Sequence, residues 1–171
     1  MVVSSARSGF FGPLICREIA LRTGVDEALE PGEDLHVRVQ AFTGGRGADV
    51  AIEASGAGAA LQAAIEAVAD EGTVIVVSWY GDKPVTLELG GHFHRGRIRL
   101  RSSQVGRVDP GLSPRWDRAR RTALVMDLLP RLRLAELVSH RIPFGQAAEA
   151  YRLIDEHPEE TMQVVLTYEG G

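Results

Sequence analysis

The sequence predicts an α/β fold built on a parallel sheet. Two observations carry that class. The stretch from Gly45 to Gly81 reads strand, turn, helix, turn, strand, and two strands joined through a helix make a right-handed βαβ unit. The second of its strands, Thr73–Val77, is an unbroken β-branched run without polar alternation, as expected of a strand buried on both faces of a parallel sheet. With 171 residues, 44% hydrophobic and 25% charged, the chain has the composition of a soluble globular protein with one domain, or one and a half.

Within the central unit, Asp49–Ala54 is an apolar strand ending at a turn of Ser55, Gly56 and Gly58. Leu61, Ala64, Ile65 and Val68 then recur at helical spacing and form one apolar stripe. Asp70, Glu71 and Gly72 stop that helix. Parallel sheets bind ligands beyond the carboxyl ends of their strands. Here those ends are Ser55-Gly56 and Ser78-Trp79-Tyr80-Gly81, whose small residues and open backbone suit a flat ligand. Taken without any resemblance, two ordinary tight turns are the simpler account.

The remaining elements follow in order. Val2-Val3 ends or begins a short strand, and Ser4–Gly9 is a polar turn. Gly9 and Gly12 have only the last part of a G-x-G-x-x-G spacing. Ser5 and Arg7 could instead hold a ribose 2′-phosphate, with a solvated turn as the plainer account. Ile15–Arg22 is a short helix stopped by Thr23-Gly24, and Val25–Leu29 a short strand closed by Pro31-Gly32. Glu33–Phe42 fits both periods; Glu33 and Asp34 in a first turn and Thr43-Gly44-Gly45 as a stop favour helix. After the central unit, Val85–Leu89 alternates like a half-exposed edge strand, and Gly90–His94 is a turn. Arg97, Arg99 and Arg101 share one face of a strand that closes with Ser102–Gly106. Asp109-Pro110-Gly111 breaks the chain. The domains expected are therefore residues 1–106 and 107–171. Ser113-Pro114 starts a helix with Trp116, Ala119, Ala123 and Met126 on one face and Pro130 at its end. Leu137–Ile142 is a strand. Phe144–Glu156 is a helix with Ala147, Ala148, Tyr151 and Ile154 inward, and Met162–Tyr168 is a final strand.

Composition and motifs exclude several classes. A net charge of -4 gives no general attraction to nucleic acid or acidic membranes, and no apolar run approaches the ~20 residues of a membrane span. The opening MVVSSARSGFF has no basic region before a long apolar core, so a cytoplasmic setting is expected. One cysteine, Cys16, excludes an intrachain disulfide and a cysteine-rich zinc lobe. His92 and His94 have no nearby carboxylate or cysteine to complete a metal site and are expected to be exposed in a turn. His140, in a strand, is expected to be structural. Nine arginines lie between Arg95 and Arg121. They divide between a strand and a helix without interleaved aromatic residues, so they suggest a solvated face or a protein contact. No Ser-His-Asp arrangement or nucleophile elbow is visible.

Five stretches in their order and spacing carry a resemblance: ALRTGVDEALEP, TGGRGADVAIEASG, GTVIVVSWYG, LRSSQVG and LVSHRIPFGQAAEAYRLIDEHPEETMQVVLTYE. From about Arg17 to Glu169 the chain resembles the zinc-dependent alcohol dehydrogenases of the medium-chain dehydrogenase/reductase superfamily, particularly the threonine and sorbitol dehydrogenase-like branch. The resemblance implies a Rossmann domain of strand order 3-2-1-4-5-6 and a zinc-bearing catalytic domain with a GroES-like barrel. Asp49–Ala54, Thr73–Val77 and Ile98–Ser102 then correspond to strands four, five and six. Val85–Leu89 corresponds to the edge strand through which family dimers pair, so a homodimer is expected. Residues from about Gln104 return to the catalytic domain. The family transfers a hydride between an alcohol carbon and NAD or NADP, with zinc as Lewis acid on the alkoxide. By the same resemblance Ser55 and Gly56 lie near the nicotinamide ribose. Val77 and Ser78 lie beside the nicotinamide, and the backbone of Ser102 and Gln104 holds its carboxamide.

The departures are specific. The family's catalytic zinc ligands, structural-zinc cysteines, first strand and glycine loop have no counterpart here, and Gln163 stands about where the family has a basic residue near the pyrophosphate. No matched position is catalytic and none is a metal ligand. The missing first strand is expected to leave a gap in mid-sheet with two unpaired edges. The first 16 residues are either a substitute for what is missing or an arbitrary start. The expectation is an incomplete Rossmann-type parallel sheet with a C-terminal portion of the catalytic domain: the cofactor side of an alcohol dehydrogenase, inactive alone. A non-enzymatic remnant that dimerises or binds a partner is the alternative, and a methyltransferase-like binder a third, against which the tail argues.

Overall fold

The computed structural model describes the backbone of residues 2–4, 7–11, 14–29 and 35–168, with side chains from Cys16 onward. The chain divides into two compact units. One comprises Met1–Gly12 and Gly24–Gln104, the other Pro13–Thr23 and Val105–Gly171.

The first unit is a six-stranded sheet. Its strands are β1 (Val2–Ser4), β2 (Arg7–Phe11), β3 (Glu27–Leu29), β4 (Ala48–Glu53), β5 (Val68–Val76) and β6 (Arg99–Ser102), in the order β3-β2-β1-β4-β5-β6. β2 with β3, β4 with β5 and β5 with β6 are parallel. β1 runs antiparallel to both its neighbours, with Val2 opposite Gly9 and Ala51. The expected gap is therefore closed. Val2–Ser4 occupies the place of the missing first strand in reversed direction, and its ladder bonds satisfy the edges of β2 and β4 that would otherwise be unpaired. The polar turn expected over Ser4–Gly9 is mostly strand, because Arg7 and Ser8 pair with Ser4 and Val3.

Two helices, α2 (Leu35–Phe42) and α3 (Gly58–Ala67), connect parallel strands of this sheet. Leu35 and Val39 of α2 are buried with Leu61, Ala64, Ile65 and Ala67 of α3, against Ala48, Ala51, Val68 and Val74 of the strands. Burial is complete on that face only. Val74 is fully buried, while its neighbours Thr73 and Ile75, pointing the other way, are half-buried. Thr73–Val77 is thus not buried on both faces within this unit, whose described helices α2 and α3 pack on the opposite side.

The helix stop also lies earlier than expected. α3 ends at Ala67, and Val68 already pairs with Ala48. The ladder then shifts so that Val50 faces Thr73, leaving Ala69–Gly72 as a bulge with Glu71 at φ 61. Gly72 makes this possible: a Cβ there would lie 2.7 Å from the Ala69 carbonyl oxygen and 2.9 Å from the Val68 Cβ.

Val85–Leu89 is not a strand in the chain. Val85 and Leu87 are half-buried against the core and Thr86 and Glu88 exposed, so the expected alternation holds as far as Glu88 and fails at Leu89, which is exposed; no strand of the described residues pairs with it. A π-helical turn follows over Leu89–Phe93.

The second unit contains α1 (Leu14–Arg22), α4 (Arg118–Leu128), β7 (Val138–Pro143), α5 (Ala147–Glu156) and β8 (Gln163–Thr167). β7 and β8 pair in parallel. The register shifts at Ser139, whose hydroxyl accepts from the Met162 N–H at 3.0 Å and donates to the Gln163 carbonyl at 3.3 Å. Arg22 of α1 pairs with Glu136 at 2.6 Å. Two expectations are corrected here. α4 starts at Arg118 because Asp117 caps it, accepting from the Arg120 N–H at 2.7 Å, whereas the Ser113 hydroxyl is spent on the Pro110 carbonyl. None of its residues is buried, Met126 being 62% exposed. In α5 the inward residues are Ala147, Ala150 and Leu153, spaced i, i+3, i+6, while Ala148, Tyr151 and Ile154 are exposed. No helix among the described residues is long and apolar enough to cross a membrane.

Candidate functional site at the carboxyl ends of the strands

The register of the sheet aligns three strand ends. Glu53, the last residue of β4, is opposite Val76 of β5, and Val76 is opposite Ser102 of β6. Ser55-Gly56, Val77-Ser78 and Ser103-Gln104 therefore leave the sheet side by side. Two backbone bonds carry the alignment past the strands: Val77 N–H to the Glu53 carbonyl at 2.9 Å and Ser103 N–H to the Val76 carbonyl at 2.7 Å.

Glu53 organises this edge, and it was not among the residues expected at the site. It is 4% exposed. Its Oε1 accepts the Ser55 N–H at 2.6 Å, the Ser55 hydroxyl at 2.6 Å and the Gly56 N–H at 3.0 Å. Its Oε2 accepts the Ser78 hydroxyl, and the Tyr80 hydroxyl at 2.7 Å. Burial alone would raise the pKa of this carboxyl. The bonds from Ser55, Ser78, Tyr80 and the Ser55 backbone outweigh it and hold the pKa down to about 2. The same burial, with the bond to the carboxylate, pushes the Tyr80 phenol up to about 12. The group is thus an ionised carboxylate with a full set of donors, and it ties the end of β4 to the end of β5. The sequence signal was AIEASG, a lone acidic residue closing an apolar strand immediately before a Ser-Gly turn.

The expected residues fall into two groups. Ser55, Gly56 and Ser78 meet at Glu53. Both serine hydroxyls donate to it, and the Ser55 oxygen also accepts from the Ala57 N–H at 3.2 Å. Gly56 has φ 72, and a Cβ there would sit 3.3 Å from the Trp79 carbonyl oxygen. Its close backbone approach thus requires glycine. Val77, Ser102 and Gln104 are exposed along the same edge, and Val77 reaches Glu53 through its backbone N–H. Trp79, between the anchored Ser78 and Tyr80, is 90% exposed.

The remaining candidates lie apart. Gly9 is within β2, paired with Val2 and Glu27, and so is not in a loop entering a helix; Ser5 and Gly12 lie outside the described residues. His92 Nε2 is 2.8 Å from the Val68 carbonyl oxygen, and its Nδ1 is 3.9 Å from Asp70. His140 sits in β7 with Nδ1 3.1 Å from the Ser139 hydroxyl. Among the described residues, His157, Glu159 and Glu160 can bring three ligand atoms within 4.8 Å, all on exposed residues. This solvated set on the turn after α5 does not fit a catalytic zinc, which needs fixed ligands around one open position.

The whole arrangement is that of a Rossmann-type sheet. A family model described as zinc-binding dehydrogenase matches residues 16–122. The chain belongs to the zinc-binding dehydrogenase family. It is 32% identical over 157 residues to D-guloside 3-dehydrogenase of Escherichia coli K12, covering 88% of this chain and 44% of that protein. The chain thus spans less than half the length of the curated relatives it matches. Solved structures share the fold. The apo zinc-dependent alcohol dehydrogenase 2 of Streptococcus pneumonia superposes with a TM-score of 0.76 at 22% identity, over 97% of this chain and 46% of that one. An E. coli CFT073 alcohol dehydrogenase solved with NADH gives 0.69 at 18% identity, over 95% and 44%.

Proposed function

We propose that this chain is the cofactor-side portion of an NAD- or NADP-dependent, zinc-type alcohol dehydrogenase, and that alone it does not turn over an alcohol. The observation that carries this reading is the Glu53-joined edge, where three aligned strand ends offer open backbone to a flat ligand. Ser55 and Gly56 would face the nicotinamide ribose, Val77 and Ser78 the nicotinamide, and Ser102 and Gln104 its carboxamide. Residues 1–106 would form the dinucleotide-binding portion and 107–171 the part belonging to the catalytic domain. When bound, the cofactor supplies hydride acceptance at its nicotinamide; this chain's residues bind and orient that ring.

The donor sets support inactivity of the chain alone. Among the described residues no group fits a catalytic zinc, and loss of a Lewis acid removes several kcal/mol of transition-state stabilisation. Gly9 lies in a strand rather than in a glycine loop, so it offers no pyrophosphate contact at a helix N-terminus. The test is to incubate the purified chain with zinc, NAD or NADP and a panel of primary, secondary and sugar alcohols. Glycosides are included because one relative is a D-guloside 3-dehydrogenase. The expected result is no zinc-dependent reduction of cofactor above a heat-killed control, together with weak nucleotide binding that Gly56→Val abolishes. Turnover by the chain alone, or a Gly56→Val protein that binds as well as the parent, would overturn the reading.

A dimerising role is favoured by one separate observation. Val85–Glu88 alternates in burial yet pairs with no strand among the described residues, as an edge awaiting a second copy would.

A further inference from the structure

Trp79 is an anomaly at this edge. An indole is among the largest apolar surfaces a side chain can offer, and this one is 90% exposed. Its exposure is not that of a loose loop. Ser78 before it and Tyr80 after it both donate to the same carboxylate oxygen, Glu53 Oε2. The backbone of Gly56 approaches the Trp79 carbonyl so closely that a Cβ would meet it at 3.3 Å. The residue is therefore held from both sides and from across the edge, with its ring left in solvent. The five bonds at Glu53 also consume the protons of the Ser55 and Ser78 hydroxyls. Neither serine can give a ligand the hydrogen bond its position suggests. The described side-chain surfaces that a planar ring can use here are the indole and the exposed Val77, together with exposed backbone.

We infer that Trp79 is a ligand-contacting residue that stacks on the pyridine ring of the nicotinamide, and that Glu53 is the positioning residue that holds it there. This rests on the cofactor reading above. An aromatic side chain has only two torsions to fix, so on an anchored backbone it loses little conformational freedom on binding, and an electron-rich indole against an electron-poor pyridinium favours face-to-face contact.

Trp79 and Trp116 are the two tryptophans of the chain, so a Trp116→Phe protein reports on Trp79 alone. The probes are oxidised nicotinamide mononucleotide and adenosine monophosphate at millimolar concentration, with binding measured in parallel by equilibrium dialysis. The expected result is quenching of Trp79 emission by the nicotinamide mononucleotide, with a long-wavelength charge-transfer absorption, and none with adenosine monophosphate. Trp79→Ala should weaken dialysis binding by about fivefold. Glu53→Gln, with its far-ultraviolet circular dichroism unchanged, should weaken quenching by a similar factor. If Glu53→Gln does not fold, Tyr80→Phe, which removes one donor from Oε2, should still weaken it, whereas Gln62→Ala on α3 should not. Dialysis binding of nicotinamide mononucleotide without quenching, and unchanged by Trp79→Ala, would overturn this inference and leave the cofactor reading standing. Absence of binding by dialysis would overturn both. Full quenching with Glu53→Gln or Tyr80→Phe would overturn the positioning role.

Discussion

At the scale of single residues, Glu53 ties the stability of the first unit to pH. Its carboxyl has a folded pKa of about 2 against an ordinary value of 4.5. A depressed pKa contributes stability that is fully present above the unfolded value and is lost as pH falls through the folded one. The contribution should therefore be complete above about pH 4.5 and drain away between there and about pH 2, by at most roughly 3 kcal/mol. Urea titrations at stepped pH should show this fall for the parent protein and a much shallower one for Glu53→Gln over the same window. Equal slopes would mean that the carboxylate is not the acid-sensitive group. Sequence reading singled out Ser55, Gly56 and Ser78 but passed over Glu53, and the reason is physical. An acidic residue ending a strand normally implies solvent, and only the fold reveals that donors from residues 2, 3, 25 and 27 positions further along converge on it.

At the scale of elements, local pattern was enough wherever one face met one core. α2, α3 and β4 follow their apolar spacing to within a few residues, while β5 begins at Val68, ahead of the expected Thr73. Errors arose where two local signals competed. Ser113-Pro114 is a good helix start in isolation, yet Asp117 lies closer to the helical run, and its carboxylate takes the Arg120 N–H. Asp117→Ala should therefore cost about 1 kcal/mol and lower the midpoint of thermal unfolding by about 2–4 °C. Ser113→Ala should have a smaller effect; the reverse ranking would restore the earlier start. On α5 Ala147 was expected inward and is, but Ala148, Tyr151 and Ile154 were also expected inward, whereas Ala150 and Leu153 complete the inward face. β1 was the least legible element. Three residues carry no period, and their direction follows from the two-residue connection to β2, which permits only antiparallel pairing.

At the scale of the whole molecule, the family and its sheet order were legible because five stretches keep their sequence order, and the closure of the sheet was not, because it depends on residues outside all five. Two consequences can be measured. If Val85–Leu89 pairs with its copy, light scattering should give a dimer at high micromolar concentration. Thr86→Pro, at an exposed position that leaves Val85 and Leu87 in place, should shift it to monomer. A parent monomer, or a dimer indifferent to Thr86→Pro, would remove the edge from the account. The more direct measurement is a map of the nucleotide site. Amide proton–nitrogen correlation spectra of the chain should be recorded during titration with NADH. The account predicts that the amides that move lie at Ser55-Gly56, Val77–Trp79 and Ser102–Gln104, the three aligned strand ends. Changes confined to the second unit or to β3, or no change at millimolar NADH, would contradict the claim that this edge receives the nicotinamide.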